Sequence, residues 1–407
     1  MIKRTLNFLL ENSAFLIIGA LLGLAWANID HESYEHLLEL PLFVNNLIGV
    51  PHDGHKIITL HFLVNDIFMA FFFAIAGKEI WEATLPGGPL HNPKRAAVPI
   101  VAAVGGMVGP ALIYLYGAHL IGEYETLANG WAIPCATDIA FSYMIARIVF
   151  GAAHPAISFL LLLAIADDAL GLLILAIFYP QPGADGNIWF MLLPVLAIII
   201  GLLLRRQRVH NFWWYILVPG TISWFGFALA GLHPALGLLP IIPTMPHEHV
   251  DKGLFNWEEM NLSDTLNRFE HWWKNPVELI LGLFGLFNAG VVFNAIGPAT
   301  YLILIGLLLG KPLGIWLSAM FTAKVLKFGL PEGIDGKVML VIGITAGIGF
   351  TVALFVATVA FPKGTIQDAA KMGALASFSA AILTFIFAKL LNIKKIHGEE
   401  GAASHSH

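Results

Sequence analysis

An all-α, polytopic membrane protein is the fold class this sequence predicts. Three observations carry that reading: sparse charge, recurrent apolar runs of span length, and an alternating distribution of basic residues. Only 12% of the 407 residues are charged and 57% are hydrophobic, against roughly 25% charged in a soluble chain whose surface meets water. The mean hydropathy is +0.77. A chain of this length with half the usual charge turns most of its surface to lipid.

A helix needs about 20 mostly apolar residues to cross a hydrocarbon core of roughly 30 Å. By that ruler about twelve candidates cover residues 13–29, 60–84, 96–118, 122–147, 153–179, 188–204, 212–229, 232–245, 276–297, 300–324, 337–361 and 369–391, the eighth being short. Met1-Ile2-Lys3-Arg4 forms a basic flank, and no small-residue cleavage site follows the first apolar run. That run is expected to remain as the first span. Residues 42–59, rich in turn residues around Gly49-Val50-Pro51-His52-Asp53-Gly54, are expected to form a β-hairpin outside the membrane. Residues 246–275 are the longest polar insert, expected as a cytoplasmic loop, and 393–407 as a disordered C-terminal tail. The whole of 1–407 reads as one transmembrane domain.

Basic residues mark the inner face of a membrane protein. With the N-terminus inside, alternate loops collect Lys3, Arg4, Lys94, Arg95, Arg147, Arg205, Arg206, Arg208, Lys252, Arg268, Lys274, Lys324, Lys327, Lys337, Lys389, Lys394 and Lys395. These are most of the 22 lysines and arginines. Lys56, Lys363 and Lys371 fall outside or at the outer interface, and Lys78 and Lys311 within spans. One missed span would scramble the later loops, so the asymmetry supports the count and predicts both termini cytoplasmic.

Asp66, Lys78, Glu79, Glu82, Asp138, Asp167, Asp168 and Lys311 lie in or at the ends of apolar spans. A charge at mid-bilayer costs about 2.5–3.5 kcal/mol, so the four deepest (Asp138, Asp167, Asp168 and Lys311) would together cost on the order of 10–14 kcal/mol. That rivals the stability of a whole domain. Ion pairs that merely join helices do not call for adjacent carboxylates. Asp167 and Asp168 point about 100° apart on a helix, so one can face a water-filled funnel while the other meets a partner. Close carboxylates titrate as a unit, and a site that takes either protons or a hard cation through oxygens is what an ion exchanger needs.

Two spans carry breaks. Pro134 removes a helical hydrogen bond within Trp131-Ala132-Ile133-Pro134-Cys135-Ala136-Thr137-Asp138. Gly343, Gly347 and Gly349 loosen another span, where Gly343 and Gly347 also fit small-residue packing. The two breaks occupy the middle spans of spans 3–5 and spans 10–12. Matching interruptions in two halves mark an inverted-repeat transporter with its site at the midplane. Asp138 is placed to offset helix N-termini there; Lys311 is placed to offset C-termini or to pair with Asp167.

The net charge of -5 is spread thinly and offers no nucleic-acid face. The single cysteine, Cys135, rules out an intrachain disulfide and reads as a small buried hydrophobe. His247-Glu248-His249 and His405-Ser406-His407 read as solvated loop and terminus rather than metal ligands, and Glu258-Glu259 as solvated loop.

Gly130-Trp131-Ala132-Ile133-Pro134 running into Ala136-Thr137-Asp138-Ile139-Ala140-Phe141, then Asp167-Asp168, resemble the NhaA-type sodium/proton antiporter family. Phe287-Asn288-Ala289-Gly290-Val291, Gly310-Lys311-Pro312-Leu313-Gly314-Ile315, Leu330-Pro331-Glu332-Gly333 and Gly347-Ile348-Gly349-Phe350-Thr351 follow in the family's order. That family has the inverted-repeat architecture. The resemblance implies electrogenic exchange of cytoplasmic Na⁺ or Li⁺ for external H⁺ across a bacterial inner membrane, serving sodium and pH homeostasis without enzymatic chemistry or a cofactor. It also implies two broken helices crossing at mid-membrane, and a homodimer joined partly by the extramembrane hairpin. By position, Asp168 resembles the principal ion-binding aspartate and Asp167 the proton-carrying one, together forming the Na⁺ site. Lys311 resembles the lysine paired with the latter. Thr137 and Asp138 resemble supporting residues, and Pro134, Gly347 and Gly349 the broken-helix backbone. Glu79, Glu82, His233, Glu270 and His271 are the candidate pH-regulatory group.

Three departures touch regulation more than the core. The basic residue expected next to the acidic pair after Glu79 is missing, with Trp81 and Glu82 nearby, Trp272-Trp273-Lys274-Asn275-Pro276 replaces a histidine-bearing stretch, and Ala169-Leu170-Gly171 follows the aspartate pair in place of Leu-Gly. An intramembrane aspartyl protease would need Gly-x-Gly-Asp, whereas Phe350 follows Gly347-Ile348-Gly349. A sodium-coupled symporter would not require the Asp167-Asp168-Lys311 set; an exchanger of another monovalent cation can keep it.

Overall fold

The computed structural model describes residues 13–52, 55–180, 186–247 and 264–396. Helices α1 (Ala14–Ile29) and α2 (His31–Leu38) lead into three short strands, β1 (Pro41–Asn45), β2 (Val50–His52) and β3 (His55–Thr59). Next come α3 (Leu60–Thr84), α4 (Pro93–Leu120), α5 (Tyr124–Cys135), α6 (Ile139–Phe150) and α7 (Pro155–Phe178). Then follow α8 (Ile188–Arg206), α9 (Phe212–Ala230), α10 (Pro234–Thr244), α11 (Thr265–Asn288), α12 (Pro298–Lys324), α13 (Gly336–Ala346), α14 (Phe350–Ala360) and α15 (Thr365–Leu390). Among the described residues seven helices are long and apolar enough to cross a membrane, and the pairs α5/α6 and α13/α14 are each bent by 51° at a short break.

The expected hairpin is a three-stranded antiparallel sheet, ordered β1-β3-β2. β2 and β3 form the hairpin (His52 opposite His55), and β1 adds to the outer edge of β3 (Val44 opposite Ile57). The eighth expected span corrects to two 3₁₀ turns, Pro234–Leu236 and Leu239–Thr244. Pro234, Pro240 and Pro243 deny that stretch the donors an α-helix requires.

The polar insert is also shorter than expected, because α11 begins at Thr265 and the expected 276–297 span shifts with it. Asp264 caps α11 by accepting the Asn267 amide at 2.7 Å. Leu266, Phe269 and Glu270 face inward, so the first three turns pack as helix. The helix ends at Asn288, where Tyr34 donates to the Leu286 carbonyl at 2.9 Å and its ring fills the space a side chain at Gly290 would need. The C-terminal segment expected to be disordered is anchored at its start, since Ile396 donates to the Phe150 carbonyl at 2.8 Å. The rest of that tail, and Glu248, His249 and Glu258-Glu259, lie outside the described residues.

α4 and α12 cross in near backbone contact: a Cβ on Gly314 would stand 2.0 Å from the Gly105 carbonyl oxygen. That crossing delivers Lys311, just after the π-helical stretch Gly306–Gly310 of α12, into the protein interior, where it is fully buried.

Candidate functional site

The two bent pairs meet at their breaks, residues 136–138 and 347–349. Pro134 does not itself mark the break; it lies in the 3₁₀ stretch Ala128–Cys135, and the chain turns extended at Ala136. Gly347 and Gly349 do lie in the second break. A Cβ at Gly347 would meet the Leu307 carbonyl oxygen at 2.6 Å, and one at Gly349 the Ala136 carbonyl oxygen at 2.9 Å. Both readings of this stretch hold, since the glycines interrupt the helix and also permit the crossing.

Four half-helix ends with unsatisfied backbone groups are thereby buried together, and each finds a partner. Asp138 serves both N-termini. Its Oδ1 accepts the Phe141 amide of α6 at 3.3 Å, while Oδ2 accepts the Thr351 amide of α14 at 3.2 Å and the Thr351 hydroxyl. Lys311 serves a C-terminus: its Nζ donates to the Cys135 carbonyl of α5 at 2.5 Å. At the C-terminal end of α13 the Asp138 amide donates to the Ile348 carbonyl at 2.7 Å and the Ser142 hydroxyl to the Thr345 carbonyl at 3.0 Å. An anionic side chain faces the positive ends and a cationic one a negative end, as the helix dipoles require.

Lys311 Nζ also reaches Asp167 Oδ2 at 2.7 Å. The Thr137 hydroxyl lies 2.6 Å from that same oxygen and 3.2 Å from the Ala346 carbonyl, so its one proton favours the carboxylate. Asp167 Oδ1 is buried without a hydrogen-bond partner among the described residues. Asp168, one residue on, turns into a cleft lined also by Asp167, Cys135, Ala136, Phe72 and Met107. It is half-buried and makes no hydrogen bond or ion pair with another described residue. The residues that sequence reasoning singled out for the core (Asp167, Asp168, Thr137, Asp138 and Lys311) therefore sit together. The chemistry on offer is a pair of carboxylates, one held by a lysine and one open.

The candidate regulatory group is divided. Glu79, Glu82 and Glu270 gather around Lys78, which is fully buried; it lies 3.8 Å from Glu79 and 2.5 Å from Glu270, and also pairs with Glu82. His233 is elsewhere, with its Nδ1 3.8 Å from Asp66, and His271 is exposed. Lys78 supplies a positive charge to the acidic group in which the expected basic residue after Glu79 is missing. Its signal was the spacing to Glu82, four residues on and on the same helix face. Thr351 and Ser142 carried no sequence signal of their own, because a hydroxyl in an apolar run reads as packing until its partner is seen. Among the described residues no three His, Cys, Asp or Glu side chains assemble as a metal site.

The sequence matches the family described as Na⁺/H⁺ antiporter 1 over residues 4–388. It is 52% identical to a protein of Jannaschia sp. (strain CCS1) named Na(+)/H(+) antiporter NhaA, covering 96% of this chain and 99% of that one. A protein of the same name from Desulfitobacterium hafniense (strain DSM 10664 / DCB-2) is 49% identical, covering 97% of this chain and 98% of its own. Among solved structures, the sodium proton antiporter MjNhaP1 from Methanocaldococcus jannaschii aligns with a TM-score of 0.49 at 13% identity, covering 94% of this chain and 90% of that one.

Proposed function

The chain belongs to the Na⁺/H⁺ antiporter 1 family, and on that premise we propose that it exchanges cytoplasmic Na⁺ or Li⁺ for external H⁺ at Asp167 and Asp168. The observation that carries the proposal is the asymmetry of the pair. Asp167 is held by Lys311 and Thr137, whereas Asp168 lines the cleft with no hydrogen-bond or ion-pair partner among the described residues. A cation entering beside Asp168 gains oxygens from both carboxylates only if Lys311 lets go of Asp167. Binding therefore drives off the protons the site carries, and external protons later reverse the exchange. Two carboxylates and an ammonium can release more than one proton per cation, which makes the exchange electrogenic.

The residues flanking the site keep the crossing fixed while this charge changes: Asp138 on the N-termini and Lys311 on a C-terminus. The broken helices, in matching positions, form the moving element of an inverted-repeat fold in a bacterial inner membrane, with both termini cytoplasmic. Exchange needs no cofactor. The Lys78–Glu79–Glu82–Glu270 group at the inner end of α3 and α11 sets the pH dependence, with His233 acting separately beside Asp66. Two copies associate through the extramembrane sheet, where Phe43, Val44 and Leu47 are 70%, 65% and 64% exposed, an apolar face of the kind that marks an interface.

The test uses everted membrane vesicles acidified inside and read with a pH-sensitive dye, with Na⁺, Li⁺ and K⁺ added in turn. Na⁺ or Li⁺ should dissipate the gradient with the wild type and not with Asp168→Asn. Dissipation by K⁺ alone, or undiminished exchange in Asp168→Asn, would reject the assignment.

A further inference from the structure

Tyr179, the residue that follows α7, carries a buried hydroxyl that the cycle above leaves unused. The hydroxyl donates to the Asn129 carbonyl at 2.6 Å and accepts the Ala132 amide at 3.3 Å. A 3₁₀ turn pairs those two groups with each other, residue i with residue i+3. The tyrosine therefore bridges the turn from outside the helix, and a side chain that enters a helical ladder bends it.

The stretch Ala128–Cys135 is weakly bonded for a second reason, because Pro134 has no amide to give. A 3₁₀ stretch within a span often marks a hinge. The far end of this stretch supplies the exchange site. The Cys135 carbonyl takes Lys311 Nζ, and Thr137, two residues on, holds Asp167. Asp167 and Tyr179 both belong to the α7 segment, about 18 Å apart along the axis at 1.5 Å per residue. The first broken helix is thus tied to the aspartate-bearing helix at two levels, by Thr137 at the break and by the Tyr179 hydroxyl one end of the stretch away.

Seating α5 in the bundle does not require the Tyr179 hydroxyl. Tyr114 of α4 donates to the Leu127 carbonyl at 3.0 Å, before the 3₁₀ stretch begins. A Cβ on Gly130 would stand 2.4 Å from the Tyr114 hydroxyl and 2.7 Å from the Phe361 ring, so the backbone there is already closely packed. Tyr179 differs in binding a carbonyl and an amide within the stretch itself.

We propose that Tyr179 is a positioning residue for the exchange site: its hydroxyl pins a hinge at residues 129–132 and so sets where Cys135 and Thr137 meet Lys311 and Asp167. The effect on transport rests on the antiport reading, whereas the pinned hinge does not. With the pin in place the grip on Asp167 is firm, and an incoming cation has to break it. Without the pin the backbone leading to the break slackens and the grip yields more readily.

The test compares the wild type, Tyr179→Phe and Tyr114→Phe. Both substitutions keep the ring and delete one hydroxyl that holds α5, but only the first acts within the hinge. Cys135 is the chain's single cysteine, and its thiol is buried on the Met107 carbonyl at 3.3 Å and the Trp131 carbonyl at 3.5 Å. Its rate of modification by a small membrane-permeant maleimide therefore reports local opening of the stretch, with no transport needed. Tyr179→Phe should label about two- to tenfold faster than the wild type, the factor one ordinary hydrogen bond gives, and Tyr114→Phe at nearly the wild-type rate. In proteoliposomes the apparent KM for Na⁺ should fall in Tyr179→Phe by up to about tenfold on the same ground, and stay put in Tyr114→Phe. A merely structural role would lower the turnover at an unchanged KM. Unchanged labelling in Tyr179→Phe would overturn the hinge, and equal changes in the two variants would assign the effect to the seating of α5. Faster labelling with an unchanged or raised KM would overturn the positioning of the site. A wild type that exchanges no cation fails the antiport reading instead, while the labelling comparison still decides whether Tyr179 pins the hinge.

Discussion

Replacing Lys311 with methionine keeps the length and bulk of the side chain and deletes its charge. The ammonium is fully buried and serves two acceptors, Asp167 Oδ2 at 2.7 Å and the Cys135 carbonyl at 2.5 Å. Both acceptors stay behind in the variant. Asp167, itself 2% exposed, keeps the Thr137 hydroxyl as its one hydrogen-bond partner among the described residues. Removing one partner of a buried ion pair costs roughly 3–5 kcal/mol, because the stranded charge is uncompensated. Thermal unfolding in detergent, compared at one scan rate because unfolding of such proteins is commonly irreversible, should shift down by on the order of 5–10 °C, at about 2 °C per kcal/mol. The cause is separable with Asp167→Asn. In the double variant no charge is stranded, so its loss should fall short of the sum of the single losses by about 2 kcal/mol, an interaction energy typical of contacting residues. Additive losses, or a Lys311→Met protein as stable as the wild type, would refute the claim that Lys311 and Asp167 form one coupled unit.

Asp168→Asn should abolish exchange while changing stability by no more than about 0.5 kcal/mol, because Asp168 makes no hydrogen bond to another described residue; thermal shift and vesicle transport on the same preparation check both halves. Asp138→Ala removes the cap of two helices at once, and at about 0.5–2 kcal/mol per cap it should cost roughly 1–4 kcal/mol. A loss confined to transport, with unfolding unchanged, would count against that capping role. Lys78→Met should destabilise the inner ends of α3 and α11 and displace the pH profile of exchange, since three carboxylates lose their shared cation; an unmoved profile would remove this cluster from regulation.

Much of the core site was legible because charge inside a membrane is so costly that each such residue announces a purpose. Asp167, Asp168, Asp138 and Lys311 stood out against apolar runs, and adjacency alone divided the two aspartates into a paired and an open one. In the structure Asp167 lies on Lys311 and Asp168 lines the cleft. What the sequence could not order was anything decided by backbone donors. Pro134 drew attention two residues before the chain actually turns extended at Ala136, because a proline forbids one hydrogen bond without dictating where the helix ends. The eighth span looked apolar enough, but three prolines leave it as 3₁₀ turns. α11 started eleven residues before the expected span (Thr265 against residue 276), since its first turns are amphipathic and read as loop on hydropathy. Tyr179 was passed over because an aromatic residue at the end of an apolar run reads as an interface anchor, and only its hydroxyl on the Asn129 carbonyl and the Ala132 amide distinguishes it. His271 joined the candidate regulatory group by the family resemblance, but adjacent helical residues face different ways, and it is exposed where Glu270 is buried.

The central claim is that Na⁺ and protons compete for one pair of carboxylates. Its most direct test is the apparent KM for Na⁺ of the reconstituted wild-type protein, measured at a series of symmetrical pH values with the turnover at saturating Na⁺ recorded each time. Competition predicts that KM climbs steadily as pH falls while turnover at saturating Na⁺ is held. A turnover that collapses with acidification at constant KM would place protons and sodium at separate sites and contradict the account.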